Sequence, residues 1–414
     1  MSRRGRTLPR QSASSSTSSR PGTPSLLREL NDRAALRLLL EGQSLTRSQL
    51  SEMTGVSKVT VAQMLARLED RGLVTAAGEL AGGRGPNATL YALVPSSAYV
   101  AGLYVEQGLV NTAVADVTGK VIAEVREDTN GAPEPIGLIR SAVDRVCARA
   151  GISVDRLSAF VIGSPGVVNP RTGDPSLTIN LPEWHEGVLG GLRGALRTPV
   201  LIENDVNLAA MAERAVGAAA GSDDFCLLWV GIGIGLATVL GGRVHRGASG
   251  AAGEIGWLPV PGAPVTSDVR HPADGGLQWL AGAEQIRRLA AEHGFAEATA
   301  GAAVRAAVAA ATGTPSSSSA SGTAFLDELA YRISLGATAV CAVIDPGLVV
   351  LGGEVGLAGG SELASRVAAR VRKMCLVAPR VVATEIASEP VLRGALLTAV
   401  EQARADLLAS VSGP

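Results

Sequence analysis

The chain has 414 residues, 46% hydrophobic and 18% charged, which is enough length and apolar content for about two to four packed domains. That composition excludes a mainly disordered chain. No apolar run reaches the length of a membrane span, and four scattered cysteines without a C-x-x-C pair (Cys147, Cys226, Cys341, Cys375) read as reduced, buried small hydrophobes rather than a disulfide framework. The N-terminus is basic but no apolar stretch follows it, so no signal peptide is read and a cytoplasmic location is expected. The formal charge of −1 is unevenly placed: residues 1–95 carry 13 Lys+Arg against 7 Asp+Glu, and the remainder 24 against 31. A basic front end on an acidic body points to a polyanionic partner for the front end.

Residues 1–24 are rich in Ser, Arg, Pro and Thr without periodicity and are expected to be a disordered tail. Residues 25–95 then read as a winged helix-turn-helix, an α+β domain. A first helix carries its apolar stripe at Leu30, Leu36, Leu39 and Leu40. TRSQLSEMTG follows, with Thr46 as N-cap and a stop at Gly55, and then SKVTVAQMLARLEDRG, with Ser57 as N-cap and Gly72 as C-cap. Val61, Leu65 and Leu68 fall at i, i+4 and i+7 and face inward, and only Thr54 to Ser57 separate the second and third helices, the spacing of a helix-turn-helix. Two short strands around GGRGP form the wing. The third helix is the expected major-groove reader of double-stranded DNA, through Lys58, Val59, Thr60, Gln63 and Arg67: Lys and Arg meet guanine or phosphate, Gln pairs with adenine, and Val and Thr meet a thymine methyl. Arg84, between glycines, is placed to enter a narrow minor groove.

From Tyr99 the pattern becomes α/β. Residues 99–127 read as three strands joined by a turn and the hairpin Val117–Lys120, and residues 226–246 repeat the plan around GIGIG and Gly241-Gly242. Two such meanders, each followed by helices, predict an internally duplicated body with two lobes and a ligand cleft between them. The first lobe takes residues 98–208 plus 388–412 and the second residues 209–387, interrupted near 297–323 by an Ala-rich helix and then TGTPSSSSASGT, which its Ser, Thr and Gly content marks as a mobile insertion. A last helix, near 390–410, is expected to pack back on the first lobe.

GGRGP after a helix-turn-helix, the Gly-rich turns, and the segments GSPG, ENDVN and GAAGEIG resemble the ROK family (repressors, open reading frames and sugar kinases), and most closely its regulator branch with an N-terminal winged helix-turn-helix. The resemblance runs from about residue 26 to near the end. It implies a two-lobed, actin-like ATPase body (sugar-kinase-like, RNase H-type), binding to operator DNA as a homodimer or homotetramer, and a response to sugars.

The family's kinase motifs are altered here. Tyr104 stands at the acidic position after the first strand, and Glu106, Gln107 and Gly108 stand at the Gly-Gly-Thr phosphate turn. A carboxylate there opposes anionic phosphates, which need bare N–H groups. Gly231–Gly235 survives, with Ile232 at the usual Thr. Neither ATP binding nor kinase activity is expected, and Asp205, the family's base, is read as a relic. The sugar-contact positions are better kept: Gly166, Asn180, Asn204, Asp205 and Glu254 supply the backbone, amide and carboxylate groups that polyols need. Asn204 and Asp205 also suit a helix N-cap. Trp257 replaces the family's His, Gln278 replaces its sugar-binding Glu, and VRHPADGGLQ lacks the zinc-holding cysteines, leaving His271 alone. No zinc is expected, and 258–276 should be more mobile than in zinc-bearing relatives. Two outcomes stay open for the pocket: an altered sugar or sugar-phosphate ligand, or silence. The reading is a carbohydrate-related transcriptional regulator and not an enzyme. A sugar kinase carrying a DNA-binding domain and an effector-independent regulator are the alternatives.

Overall fold

The computed structural model describes residues 24–81, 87–106, 108–129, 135–177, 187–377 and 379–411. The described residues up to Val94, with those from Leu407, form one compact unit, and Pro95–Asp406 forms the other.

The first unit contains α1 (Pro24–Leu40), β1 (Leu45–Thr46), α2 (Arg47–Thr54), α3 (Lys58–Asp70), β2 (Val74–Leu80) and β3 (Ala88–Leu93). Its helix ends follow local chemistry. Thr46 and Gln49 cap each other at the start of α2, and Gly55 closes that helix at φ 72. The Ser57 side chain accepts from Thr60 N–H, starting α3. α3 ends at Arg71 in the right-handed region, and Gly72, one residue later than the simplest reading of a cap, carries the positive φ of 67. Val61, Met64, Leu65 and Leu68 are buried with Leu36, Leu39 and Leu50. The wing is the β2–β3 hairpin, and β3 also pairs with the two-residue β1, a strand too short for periodicity to announce.

The second unit begins with β4 (Tyr99–Glu106), β5 (Leu109–Asp116), β6 (Val121–Asp128), α4 (Pro135–Ala150), β7 (Leu157–Ser164), β8 (Val167–Val168), β9 (Pro175–Leu177), α5 (Val188–Leu196), β10 (Val200–Asn204) and α6 (Asp205–Val216). It continues with β11 (Phe225–Val230), β12 (Ile234–Leu240), β13 (Arg243–Val244), α7 (Gly276–Ala281), α8 (Ala283–Glu292), α9 (Ala300–Thr312), α10 (Ser317–Ile344), β14 (Leu348–Gly352), α11 (Gly353–Met374), β15 (Arg380–Ala383) and α12 (Pro390–Ser410). Its two five-stranded sheets run β10-β7-β4-β5-β6 and β13-β12-β11-β14-β15. In each, a three-strand antiparallel meander supplies the central strand (β4 or β11), which pairs in parallel with a later strand (β7 or β14), and that strand pairs in parallel with a second (β10 or β15) at the sheet edge. The duplication is therefore one of topology as well as of pattern.

Each sheet has its own core. One gathers Leu103, Ile139, Phe160, Ile162 and Leu192, the other Leu228, Phe325, Leu326, Leu329 and Leu351. α12 lies on the first sheet through small residues: a Cβ on Gly163 would stand 2.6 Å from Val391 Cγ1, and one on Gly394 would stand 1.9 Å from the Leu208 carbonyl oxygen.

The segment 297–323 contains the Ala-rich helix α9, with Ala300, Ala303, Val304 and Ala307 in the second core, and then, within TGTPSSSSASGT, the first turns of α10 from Ser317, where Ser316 caps the helix. All four cysteines are free; three are buried and Cys375 is half-buried. Among the described residues no helix is long and apolar enough to cross a membrane.

Candidate functional site

The helix-turn-helix presents one polar face. Lys58, Val59 and Gln63 are exposed, with Val59 retaining 69% of its surface, while Thr60 is half-buried with its hydroxyl against Ser57 at 2.9 Å. Arg67, expected on the same face, is engaged within the domain. Its Nε donates to Asp32 Oδ2 at 2.8 Å and its Nη2 to Oδ1 at 2.5 Å, a two-pronged pair that also raises the guanidinium pKa. Arg84 lies outside the described residues.

In the second unit the cleft residues are built from the turn between β10 and α6. Asn204 caps α6: its Oδ1 accepts from Asn207 N–H at 3.0 Å and its Nδ2 donates to the Gly166 carbonyl at 3.0 Å, tying the GSPG loop to the helix start. The preceding Glu203 is buried. It accepts from Asn207 Nδ2 at 2.9 Å and from Arg246 Nε at 2.7 Å, so a charge pair across 43 residues fixes the turn from beneath. No local pattern marks Glu203 or Arg246, because their partners are distant in the chain.

Asp205 opens α6. Burial pushes its carboxyl up to about 7, with the charges of Glu254 and Glu106 acting in the same direction. Burial also raises Glu254. The structure thus brings Gly166, Asn204, Asp205 and Glu254 to one region of the cleft. Asn180 lies outside the described residues.

The folded chain keeps the Asp205 proton to about pH 7, whereas an unfolded aspartate releases it near pH 4. Between those values the native state holds more protons, so this group's contribution falls as pH rises from about 4 to about 7 and is level above. Asp205→Asn is expected to flatten part of that slope. Urea midpoints at about pH 5 and about pH 8 measure it, and an unchanged difference between the two would remove Asp205 as its source.

Two replacement residues are committed to the protein itself. Trp257 Nε1 donates to the Val269 carbonyl at 3.2 Å, and the loop is further held by Leu277 N–H to Leu258 O at 3.0 Å and Gly276 N–H to Pro264 O at 2.8 Å. Gln278, expected to offer its amide to a ligand, spends both ends on the second Gly-rich turn. Its Oε1 accepts from Ile234 N–H at 2.9 Å and its Nε2 donates to Ile232 O at 3.0 Å. Asp268 is drawn down to about 2 by Arg270 and lies 3.8 Å from exposed His271. Among the described residues no three His, Cys, Asp or Glu side chains are grouped to hold a metal ion.

At the turn of the first meander, Tyr104 sits among acids. Burial raises its hydroxyl pKa first, then the charges of Asp205, Glu106 and Glu389. Glu389, from the turn before α12, is a neighbour that sequence spacing does not announce.

The ROK family model matches residues 105–402, and a MarR family model matches residues 30–85. The Xylose repressor of Caldicellulosiruptor bescii is 25% identical over 245 residues, 58% of this chain and 61% of that protein. The DNA-binding transcriptional dual regulator NagC of Escherichia coli is 24% identical over 243 residues, 58% of this chain and 59% of that protein. The matched stretch is therefore less than two thirds of those relatives' own length. Among solved structures, a ROK family transcriptional regulator homologous to the E. coli MLC protein superposes with a TM-score of 0.70 at 19% identity, covering 93% of this chain and 99% of that one. A ROK hexokinase from Thermus thermophilus superposes at 0.57 and 28% identity, covering 72% and 97%. A winged helix followed by a duplicated two-sheet body, matched by the family model over residues 105–402, means that the chain belongs to the ROK family.

Proposed function

We propose that the protein is a cytoplasmic transcriptional regulator that binds operator DNA through α3 and senses a carbohydrate-related effector in its ROK body without phosphorylating it. The observation that carries the DNA half is the exposed start of α3, where Lys58, Val59 and Gln63 project from a capped helix whose other side is buried. That one relative is a repressor and another a DNA-binding transcriptional dual regulator supports the same half. A homodimer or homotetramer would set two such helices on half-sites about one helical turn, or a multiple of it, apart. Selection of genomic fragments by the full chain at physiological salt tests this: discrete pseudo-palindromic sites are expected, and recovery without sequence preference would overturn it.

The effector half rests on Gly166, Asn204, Asp205, Glu254 and Trp257. Gln278 contributes by stiffening the turn at 231–235, and an effector alters DNA binding only if it prefers one conformational state. Asn180 is kept as a further contact. ATP does not fit the residues present. Glu106 and Glu389 stand beside Tyr104, and the Asp205 charge reaches the same hydroxyl, so γ-phosphate would meet acids where a kinase needs donors. Zinc does not fit either: 268–278 offers one imidazole, His271, and two carboxylates, Asp268 already paired with Arg270 and Asp274, and among the described residues no three such side chains are grouped to hold a metal ion. With ATP and a panel including xylose, glucose and N-acetylglucosamine, no sugar phosphate is expected. Robust turnover would make Asp205, with its carboxyl near neutrality, a working base and favour the kinase reading.

A further inference from the structure

The two five-stranded sheets have four edges, and the edge at β6 is the longest. β6 (Val121–Asp128) closes one side of the first sheet, and among the described residues no strand pairs with its far side. It runs for 8 residues, against 5 in β10, 2 in β13 and 4 in β15, the other edge strands. Its register with β5 fixes what this edge offers. Thr129 N–H donates to the Gly108 carbonyl at 3.1 Å, so the backbone bonds of the ladder fall at Glu127 and Val125, which pair with Val110 and Thr112. Glu124 and Arg126 therefore turn their N–H and C=O groups outward, where no partner among the described residues meets them.

Charged side chains ordinarily protect such an edge from indiscriminate pairing. The charges of β6 have a two-fold order that admits one partner, a copy of the same strand. Glu124-Val125-Arg126 places opposite charges one step either side of Val125. When the strand pairs antiparallel with its copy about Val125, Glu124 stands directly across from Arg126 of the copy, and the pair occurs twice. These are also the two positions whose backbone groups point outward, so charge and hydrogen bonding select the same register. Centring the pair on Glu124, Arg126 or Glu127 instead sets that residue against its own copy. Both side chains are accessible. Glu124 is exposed, and Arg126 reaches Glu389 only at 3.7 Å and keeps 61% of its side chain exposed. Val121 and Ile122, 46% and 41% exposed, add apolar surface on the same strand.

We propose that β6 is the surface by which two copies of this chain join, their first sheets continuing into one through an antiparallel β6–β6 pair centred on Val125. The proposal goes beyond the regulator reading by naming the joining surface. It is tested without DNA, so its failure is separate from the failure of that reading. Sedimentation equilibrium of the full chain reads the assembly. Glu124→Arg and Arg126→Glu should each weaken association about tenfold or more, taking a dimer to monomer or a tetramer to dimer, with the far-ultraviolet circular dichroism unchanged. An equal mixture of the two variants should recover the assembly, and so should the chain carrying both changes, because each again sets Glu against Arg. A folding defect allows neither recovery. In Val125→Cys the two thiols face each other in a non-hydrogen-bonded pair and should link across the copies under mild oxidation, with the parent chain as blank. Ile122→Cys, about 20 Å from its copy in this register, should not link. A monomeric parent, which would leave the edge to some other protein, overturns the assignment. So do reversals that leave the assembly unchanged, a mixture that fails to recover it, and absence of a link at 125.

Discussion

Replacing Lys58 or Gln63 by alanine is expected to weaken operator binding by about 10- to 100-fold each, with different signatures. Both side chains stand free on α3, whose inner face is committed to the domain core through Val61, Met64, Leu65 and Leu68. Truncating either removes DNA contacts and leaves the fold intact. If Lys58 reaches phosphate, Lys58→Ala weakens all sequences alike and lowers the salt slope by about one. If Gln63 reads a base edge, Gln63→Ala should relax preference at one position while nonspecific binding persists. Arg67→Ala should behave differently. It breaks the pair with Asp32 and lowers the stability of the winged helix by about 1–2 kcal/mol, with a smaller direct effect on DNA. Anisotropy titrations against operator and scrambled DNA separate the three. Undiminished operator binding by the Lys58 and Gln63 double variant would show that another surface meets DNA.

Gly253→Ala is expected to destabilise the body by about 2–5 kcal/mol, lowering the thermal midpoint on the order of 10 °C. Gly253 is at φ +101, and a Cβ there would stand 1.8 Å from the Leu236 carbonyl oxygen. The same residue accepts from Leu236 N–H at 2.9 Å and Ile255 N–H at 2.7 Å, so the loop cannot retreat without giving up its hold on β12. Left-handed strain and overpacking therefore add. Because Glu254 follows directly, the variant should also lose whatever the cleft binds. Gly233→Ala is the control: no atom lies within 4 Å of the added carbon and its φ is not positive, so it should cost less than about 1 kcal/mol. Equal midpoints for the two variants would contradict the packing argument.

Much of the architecture was legible because its signals are local. Caps at Thr46 and Ser57, the turn glycine at 55, the buried spacing of Val61, Leu65 and Leu68, and the two three-strand meanders all lie within a few residues of their partners. The start of α10 was missed because its Ser-rich first turns carry helix without apolar contrast.

Single positions were harder, since a residue type names a capacity and only a partner decides its use. Arg67 can contact DNA but meets Asp32, 35 residues away. Gln278 can grip a hydroxyl but grips Ile232 and Ile234. Glu203 finds Arg246, and Asn111 Nδ2 finds Glu124, 13 residues away. The sequence by itself determined the helices of the winged helix-turn-helix and the duplicated meanders, because periodicity, caps and turn glycines act over a few residues. Only the tertiary structure decided which polar groups remain available, because hydrogen bonds are spent over a few ångströms of space that chain distance does not measure.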